Sequence, residues 1–132
     1  QLAHIDNCIN VSMYITNIPT TPSGAFSGPL VVSMRSIPSE LVVRSVQVTS
    51  RFPDVHGSPI HIGDPTKIGI KDLNYPDFGD PPLIKPGETP VFWACGVTPQ
   101  SVAMNSKPSI MITHSPGHMF VTDKKDEDYS IL

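Results

Sequence analysis

Fifteen prolines and nine glycines confine this chain to short elements joined by turns of fixed geometry. Proline locks φ and removes a backbone donor, and glycine marks positions that need unusual dihedrals. The loops between elements therefore carry conformation rather than slack. At 132 residues the chain makes one domain, 1–132, with a core of its own. No internal repeat or domain boundary divides it. A hydrophobic fraction of 39% sets it well apart from disordered chains.

A net charge of -3 without a basic run argues against nucleic acid as a partner. No apolar stretch approaches the roughly 20 residues of a membrane span. The chain opens on Gln1 with no signal-peptide pattern after it, and we expect a processed product or an excised domain. Cys8 and Cys95 are too few for a disulfide framework and neither has a CxxC partner, which suits a reducing compartment.

Along the chain, the weak alternation of Leu2, Ile5, Ile9 and Val11, ending in Met13-Tyr14-Ile15, predicts a strand. Residues 17–29 form a loop of glycine, proline and hydroxyls. Such a loop can hold an anion, although a plain connection is the commoner role. Leu30-Val31-Val32-Ser33-Met34 reads as a buried strand closed by Arg35. Pro38 and Glu40 suit a first helical turn, so residues 38–50 are expected to be helical, ending before Pro53. Ile60-His61-Ile62 reads as a very short strand. Asp64 and Pro65 are a natural N-cap and first residue for a helix over about 65–73. Tyr75 to Glu88 is a long Pro/Gly/Asp loop of the kind that often serves as a lid or binding loop. Val91-Phe92-Trp93-Ala94-Cys95 is the clearest strand, followed by a helix from Thr98-Pro99 to about Lys107. Ile110 to Thr113 is expected as a final core strand, and Lys124 to Asp128 as a solvated charged run. The alternation predicts an α/β fold: a mixed sheet with short helices and long Pro/Gly-rich loops.

The chemistry concentrates in Thr113-His114-Ser115-Pro116-Gly117-His118-Met119-Phe120-Val121-Thr122-Asp123, read as two core strands joined by a polar turn. His114 and His118 have the spacing of helical metal ligands, but Pro116-Gly117 opposes a helix there, and further ligands are not specified. General acid/base work is the stronger reading, with one histidine in a merely structural role as its rival. In an open α/β sheet ligands gather at strand ends and helix N-termini. The turns after His61 and at Gly96-Val97-Thr98 lie at such places. Arg35 and Arg51 end elements and suit a carboxylate, or else a surface ion pair. Cys95 reads as a small buried hydrophobe.

Four blocks carry a resemblance: Phe26 to Arg35; Thr49 to Pro53 with His56 to Pro65; Pro90 to Gln100; and Ile112 to Asp123. Together they resemble the D-glutamate cyclase family of hydro-lyases over most of the chain. The resemblance implies a larger α/β fold of two intertwined lobes, of which this chain is similar to the C-terminal part. It also implies a lyase that converts D-glutamate to 5-oxo-D-proline with loss of water. On that reading His114, His118 and Asp123 are the catalytic candidates. Arg35, Arg51, His61, Gly96 and Thr98 are the substrate-binding ones. No cofactor or metal is called for. The expected partner is D-glutamate or a related small acid, with no nucleic acid or membrane and with homo-oligomerisation left open. The compartment would be the mitochondrial matrix in a eukaryote and the cytoplasm otherwise. The alternatives are a non-catalytic module that binds small carboxylic acids, and a metal-dependent hydro-lyase.

Overall fold

The structure, a computed structural model, describes residues 3–118 and 120–131. The elements are α1 (Ala3–Asp6), β1 (Met13–Pro19), β2 (Pro29–Pro38), α2 (Val42–Thr49), β3 (His61–Ile62), β4 (Glu88–Ala94) and α3 (Thr98–Ser106). Single 3-10 turns cover Ser39–Leu41, Pro65–Ile68 and Asp126–Tyr129. The strands form one sheet in the order β1-β2-β4-β3. The α/β class holds, and every pairing is antiparallel.

Strand pleating sorts the core, because successive side chains point to opposite faces. On one face Val32 and Met34 of β2 meet Tyr14 and Phe92, and the segment carrying Ile68 and Ile70 covers them. On the other face lie Val31, Ser33, Arg35 and Ile37, with Trp93 and Val91 beside Ser33 and Arg35 in the register of β4. At the Val31 end of this face Val97, the N-cap residue of α3, packs with Val31 and Met13. Helix α2 lies beyond the opposite end and buries none of its residues.

Local signals explain most boundaries. Asp64 caps the turn at Pro65, its carboxylate accepting from the Thr66 amide at 3.0 Å and the Thr66 hydroxyl at 2.7 Å. Those bonds hold the Asp64 carboxyl below its usual range. The helix expected over 65–73 shortens to one 3-10 turn because Gly69 turns left-handed, with φ 84°. The N-terminal strand begins at Met13, and residues 3–6 are instead helical. Leu2 lies outside the described residues.

Within the long loop before β4, residues 77–80 cover the outer edge of β1. Phe78 bridges to Met13. The Asp77 carboxylate accepts from the Ile15 amide at 2.7 Å, and the Asp80 carboxylate from the Asn10 amide at 2.7 Å. Unpaired edge amides invite pairing with other chains; here two carboxylates occupy them.

The expected strand at Ile110 to Thr113 does not form. Ile110 and Ile112 are 80% and 91% exposed, and their backbone joins no ladder. Apolar residues make a strand only where a partner edge is free. Phe120 and Val121 are likewise exposed, and Met119 lies outside the described residues. What survives of the reading is the turn. The His118 amide donates to the Ser115 carbonyl at 3.0 Å, and Gly117 has φ 80°. Proline then glycine at the two central positions is a type II turn.

Tyr14 supplies a test of the core. Its buried hydroxyl donates to the Leu73 carbonyl at 2.7 Å, and burial pushes its pKa up to about 12. A raised folded-state value means that the fold favours the protonated phenol. This stabilisation is complete below pH 10.0 and is lost as pH rises from there through about 12. Denaturant titrations across that window should show stability falling with phenolate formation. Tyr14→Phe should be about 1 kcal/mol less stable at neutral pH, from the lost hydrogen bond, with a flatter alkaline limb.

Candidate functional site

Arg35 is the centre of the best-formed site. Its position on β2 puts it on the same face as Ser33 and next to Trp93, so the pleat aims all three together. One guanidinium nitrogen donates to the Ser33 hydroxyl at 3.0 Å, and the guanidinium carbon lies 5.6 Å from the Trp93 ring centroid. The side chain is half-buried, and burial lowers its pKa from the ordinary arginine value. Among the described residues no carboxylate pairs with it. A desolvated cation without its counter-ion is costly unless a ligand supplies the charge.

The space beside Arg35 is a cavity of ≈ 460 Å³ between the sheet and α2. Arg35, Ile37 and Trp93 form its sheet side, and Leu41, Arg44, Ser45, Val48 and Thr49 its helix side. The 41, 44, 45, 48 spacing is one face of a helix. The Trp93 indole donates to the Thr49 hydroxyl at 3.2 Å, tying the two sides together. Arg44 also has no carboxylate partner among the described residues. His56, from the loop after α2, completes the lining.

His56 has a defined tautomer. Its Nδ1 lies 2.7 Å from the Ala94 carbonyl, and a carbonyl only accepts, so Nδ1 carries a proton. In the neutral ring Nε2 is then the basic nitrogen. The cavity thus combines a guanidinium, a second cation and an oriented imidazole. Such a set can hold a carboxylate and move a proton beside it.

The other sequence candidates are placed elsewhere. His61 pairs with Phe92 in register, on the sheet face opposite Arg35. Its ring lies 5.8 Å from that of Phe92, and its Nε2 donates to the Asp64 carbonyl at 2.7 Å. Arg51 is exposed beyond α2 and does not line the Arg35 cavity. Gly96 is exposed. The Thr98 hydroxyl is engaged with the backbone, accepting from the Val31 amide at 3.0 Å and lying 2.8 Å from the Cys95 carbonyl. Burial raises the Cys95 pKa, the reverse of what an activated thiol needs.

His114, His118 and Asp123 are exposed, and none lines the Arg35 cavity. His114 Nδ1 donates to the Ser115 carbonyl at 2.8 Å and His118 Nδ1 to the Pro116 carbonyl at 3.2 Å. Their segment borders a second cavity, of ≈ 470 Å³, through Thr113 and Pro116. Gln100 anchors the segment, its amide nitrogen donating to the Thr113 hydroxyl at 3.1 Å and to the His114 carbonyl. Among the described residues, no three His, Cys, Asp or Glu side chains gather as a metal-binding group. No helix among them is long and apolar enough to cross a membrane.

Sequence reasoning missed His56, Arg44 and Trp93 as members of one site. The helical spacing of Arg44 with Leu41 and Val48 was available as a signal. The position of His56 against Ala94 was not, because a loop return leaves no periodic trace.

Comparison with known proteins supplies the remaining findings. A family model described as D-glutamate cyclase matches residues 1–123. The chain is 67% identical over 129 residues to a protein of Psychrobacter arcticus named "Putative hydro-lyase", covering 98% of this chain and 49% of that protein. A "Putative hydro-lyase" of Thermoanaerobacter pseudethanolicus is 73% identical over 124 residues, with 94% and 47% covered. One of Bacillus subtilis is 64% identical over 129 residues, with 98% and 50% covered. The chain therefore spans about half the length of the curated relatives it matches. These relatives are bacterial, and the mitochondrial alternative finds no support among them.

Proposed function

The chain belongs to the D-glutamate cyclase family, and from that premise we propose that it forms part of a hydro-lyase that converts D-glutamate to 5-oxo-D-proline and water. The observation that carries this reading is the half-buried Arg35 guanidinium, without a carboxylate partner among the described residues, in a cavity that also presents Arg44 and His56. The relatives named as hydro-lyases support the reaction class.

The proton balance of the reaction suits one imidazole. The α-ammonium gives up two protons and keeps one, its nitrogen bonds to the side-chain carboxyl carbon, and one carboxyl oxygen leaves as water carrying those two protons. No proton is gained or lost overall, so a single group can take a proton from nitrogen and return it to oxygen. His56 Nε2 is the group in the cavity with that capacity. Arg35 would hold one carboxylate in a bidentate fork, and Arg44 the charge developing on the second. His114, His118 and Asp123 remain the alternative candidates; of the segment that carries the two histidines, Thr113 and Pro116 line the second cavity and Gln100 holds Thr113 and the His114 carbonyl.

Purified chain and a full-length relative should each be incubated with D-glutamate while 5-oxoproline is followed. Formation of 5-oxoproline by neither would remove the reading. His56→Gln, His114→Gln and His118→Gln should then be compared in the full-length protein. The proton-transfer histidine should lose about 100-fold or more in kcat, and we expect that loss at His56. A full loss at His114 or His118 with His56→Gln unaffected would move the chemistry from the Arg35 cavity to the turn that carries those histidines.

A further inference from the structure

The Arg35 cavity presents hydrocarbon as well as cations to whatever occupies it. Its ≈ 460 Å³ falls within the roughly 300–1,000 Å³ of pockets that enclose drug-sized molecules. Beyond the two arginines, His56, Ser45 and Thr49, its walls are apolar: Ile37 and Trp93 on the sheet, Leu41 in the turn before α2 and Val48 on α2. Leu41 and Val48 are 43% and 50% exposed although both line the cavity. Helix α2 buries none of its residues fully: its Val42 packs against Ile37, Val91 and Trp93, while Val48 borders the gap. The one charged feature opposite, Arg35, asks for an anion.

We propose that this cavity binds a carboxylic acid with an apolar aliphatic or aromatic body, the carboxylate on Arg35 and the body between Trp93 and the α2 face. The inference rests on the assignment of Arg35 as a carboxylate holder and adds the class of acid. Charge complementarity fixes one end of the ligand, because a guanidinium binds a planar carboxylate in a fork. The apolar walls fix the other end. Free D-glutamate, with two carboxylates and no apolar body, leaves the Leu41 and Val48 surface in contact with water. An acid with a hydrocarbon or aryl group displaces that water.

The test is calorimetric titration of the chain with acetate, hexanoate, phenylacetate, the neutral phenylacetamide, and D-glutamate. Hexanoate should bind more tightly than acetate by about fourfold for each methylene buried. Phenylacetamide should bind at least about tenfold more weakly than phenylacetate. Arg35→Leu should abolish the difference between phenylacetate and phenylacetamide, and Arg35→Lys, which keeps the charge, should retain part of it. Val48→Asp, at a half-exposed helix position, should weaken hexanoate at least about tenfold while changing D-glutamate less. Equal affinities for acetate and hexanoate, or for phenylacetate and phenylacetamide, would overturn the proposal. So would sedimentation showing a dimer that Val48→Asp dissociates, with no acid bound, since the cavity would then be an interface between copies. Turnover of D-glutamate is read separately. Selective acid binding without turnover removes the cyclase reading and keeps this one, and turnover without selectivity does the reverse.

Discussion

Arg35→Leu is expected to lower kcat/KM for 5-oxoproline formation by about 100-fold, on the scale of losing one charge-stabilising group at a reacting centre, without lowering stability. The two halves of this expectation have one cause. Arg35 sits half-buried with a serine hydroxyl at 3.0 Å and an indole ring as its neighbours, and among the described residues it has no carboxylate. Leucine removes a desolvated charge and puts hydrocarbon beside Ile37 and Trp93, a change that is often neutral or stabilising. A residue kept at the expense of stability is one retained for function. The measurements are thermal unfolding of the variant and steady-state kinetics in the full-length protein. Loss of stability with unchanged kinetics would make Arg35 a structural cation and remove the carboxylate assignment.

Gly79→Ala is expected to destabilise the chain by about 3 kcal/mol, combining a left-handed dihedral cost of about 1–2 kcal/mol with an overpacking cost of about 1–3 kcal/mol. Gly79 has φ 80°, and an added Cβ would collide with the Val11 carbonyl. The loop cannot shift to relieve it. The Met13 amide donates to the Phe78 carbonyl at 2.9 Å, and the Asp77 and Phe78 amides donate to the Met13 carbonyl at 3.0 and 3.2 Å. The carboxylates of Asp77 and Asp80 hold the amides on either side. Gly24 is the control: its φ is 55° and a Cβ there would meet nothing within 4 Å. Gly24→Ala should therefore incur only the dihedral cost, about 1 kcal/mol. Denaturant unfolding of both variants separates the terms, and equal losses would show that the Val11 contact is not a constraint.

The two effects fall on opposite sides of what local sequence can reveal. The Asp64-Pro65 cap, the Thr98-Pro99 helix start and the Pro116-Gly117 turn were readable because each depends on a few adjacent residues. Strands β2 and β4 were readable because their apolar runs must be buried. The strand expected at Ile110 to Thr113 failed on the same logic. Its composition resembles that of β4, but β4 has β2 and β3 to pair with and Ile110 to Thr113 has no ladder partner. Composition states a need for burial; pairing depends on residues far away in the chain.

The candidate site divides the same way. The sequence by itself determined which groups could act: few cations, an element-ending Arg35, two histidines beside a Pro-Gly turn, and the blocks that place the chain in its family. Tertiary structure decided which of them meet. The antiparallel register of β2 with β4 set Arg35 beside Trp93 and put His61 on the opposite face. The stand-off of α2 opened the cavity and turned Arg44 toward it, and the return of the loop after α2 brought His56 against Ala94. Residue chemistry is local and can be read in order along the chain. Which face a side chain occupies depends on register, and register is settled only when the strands pair.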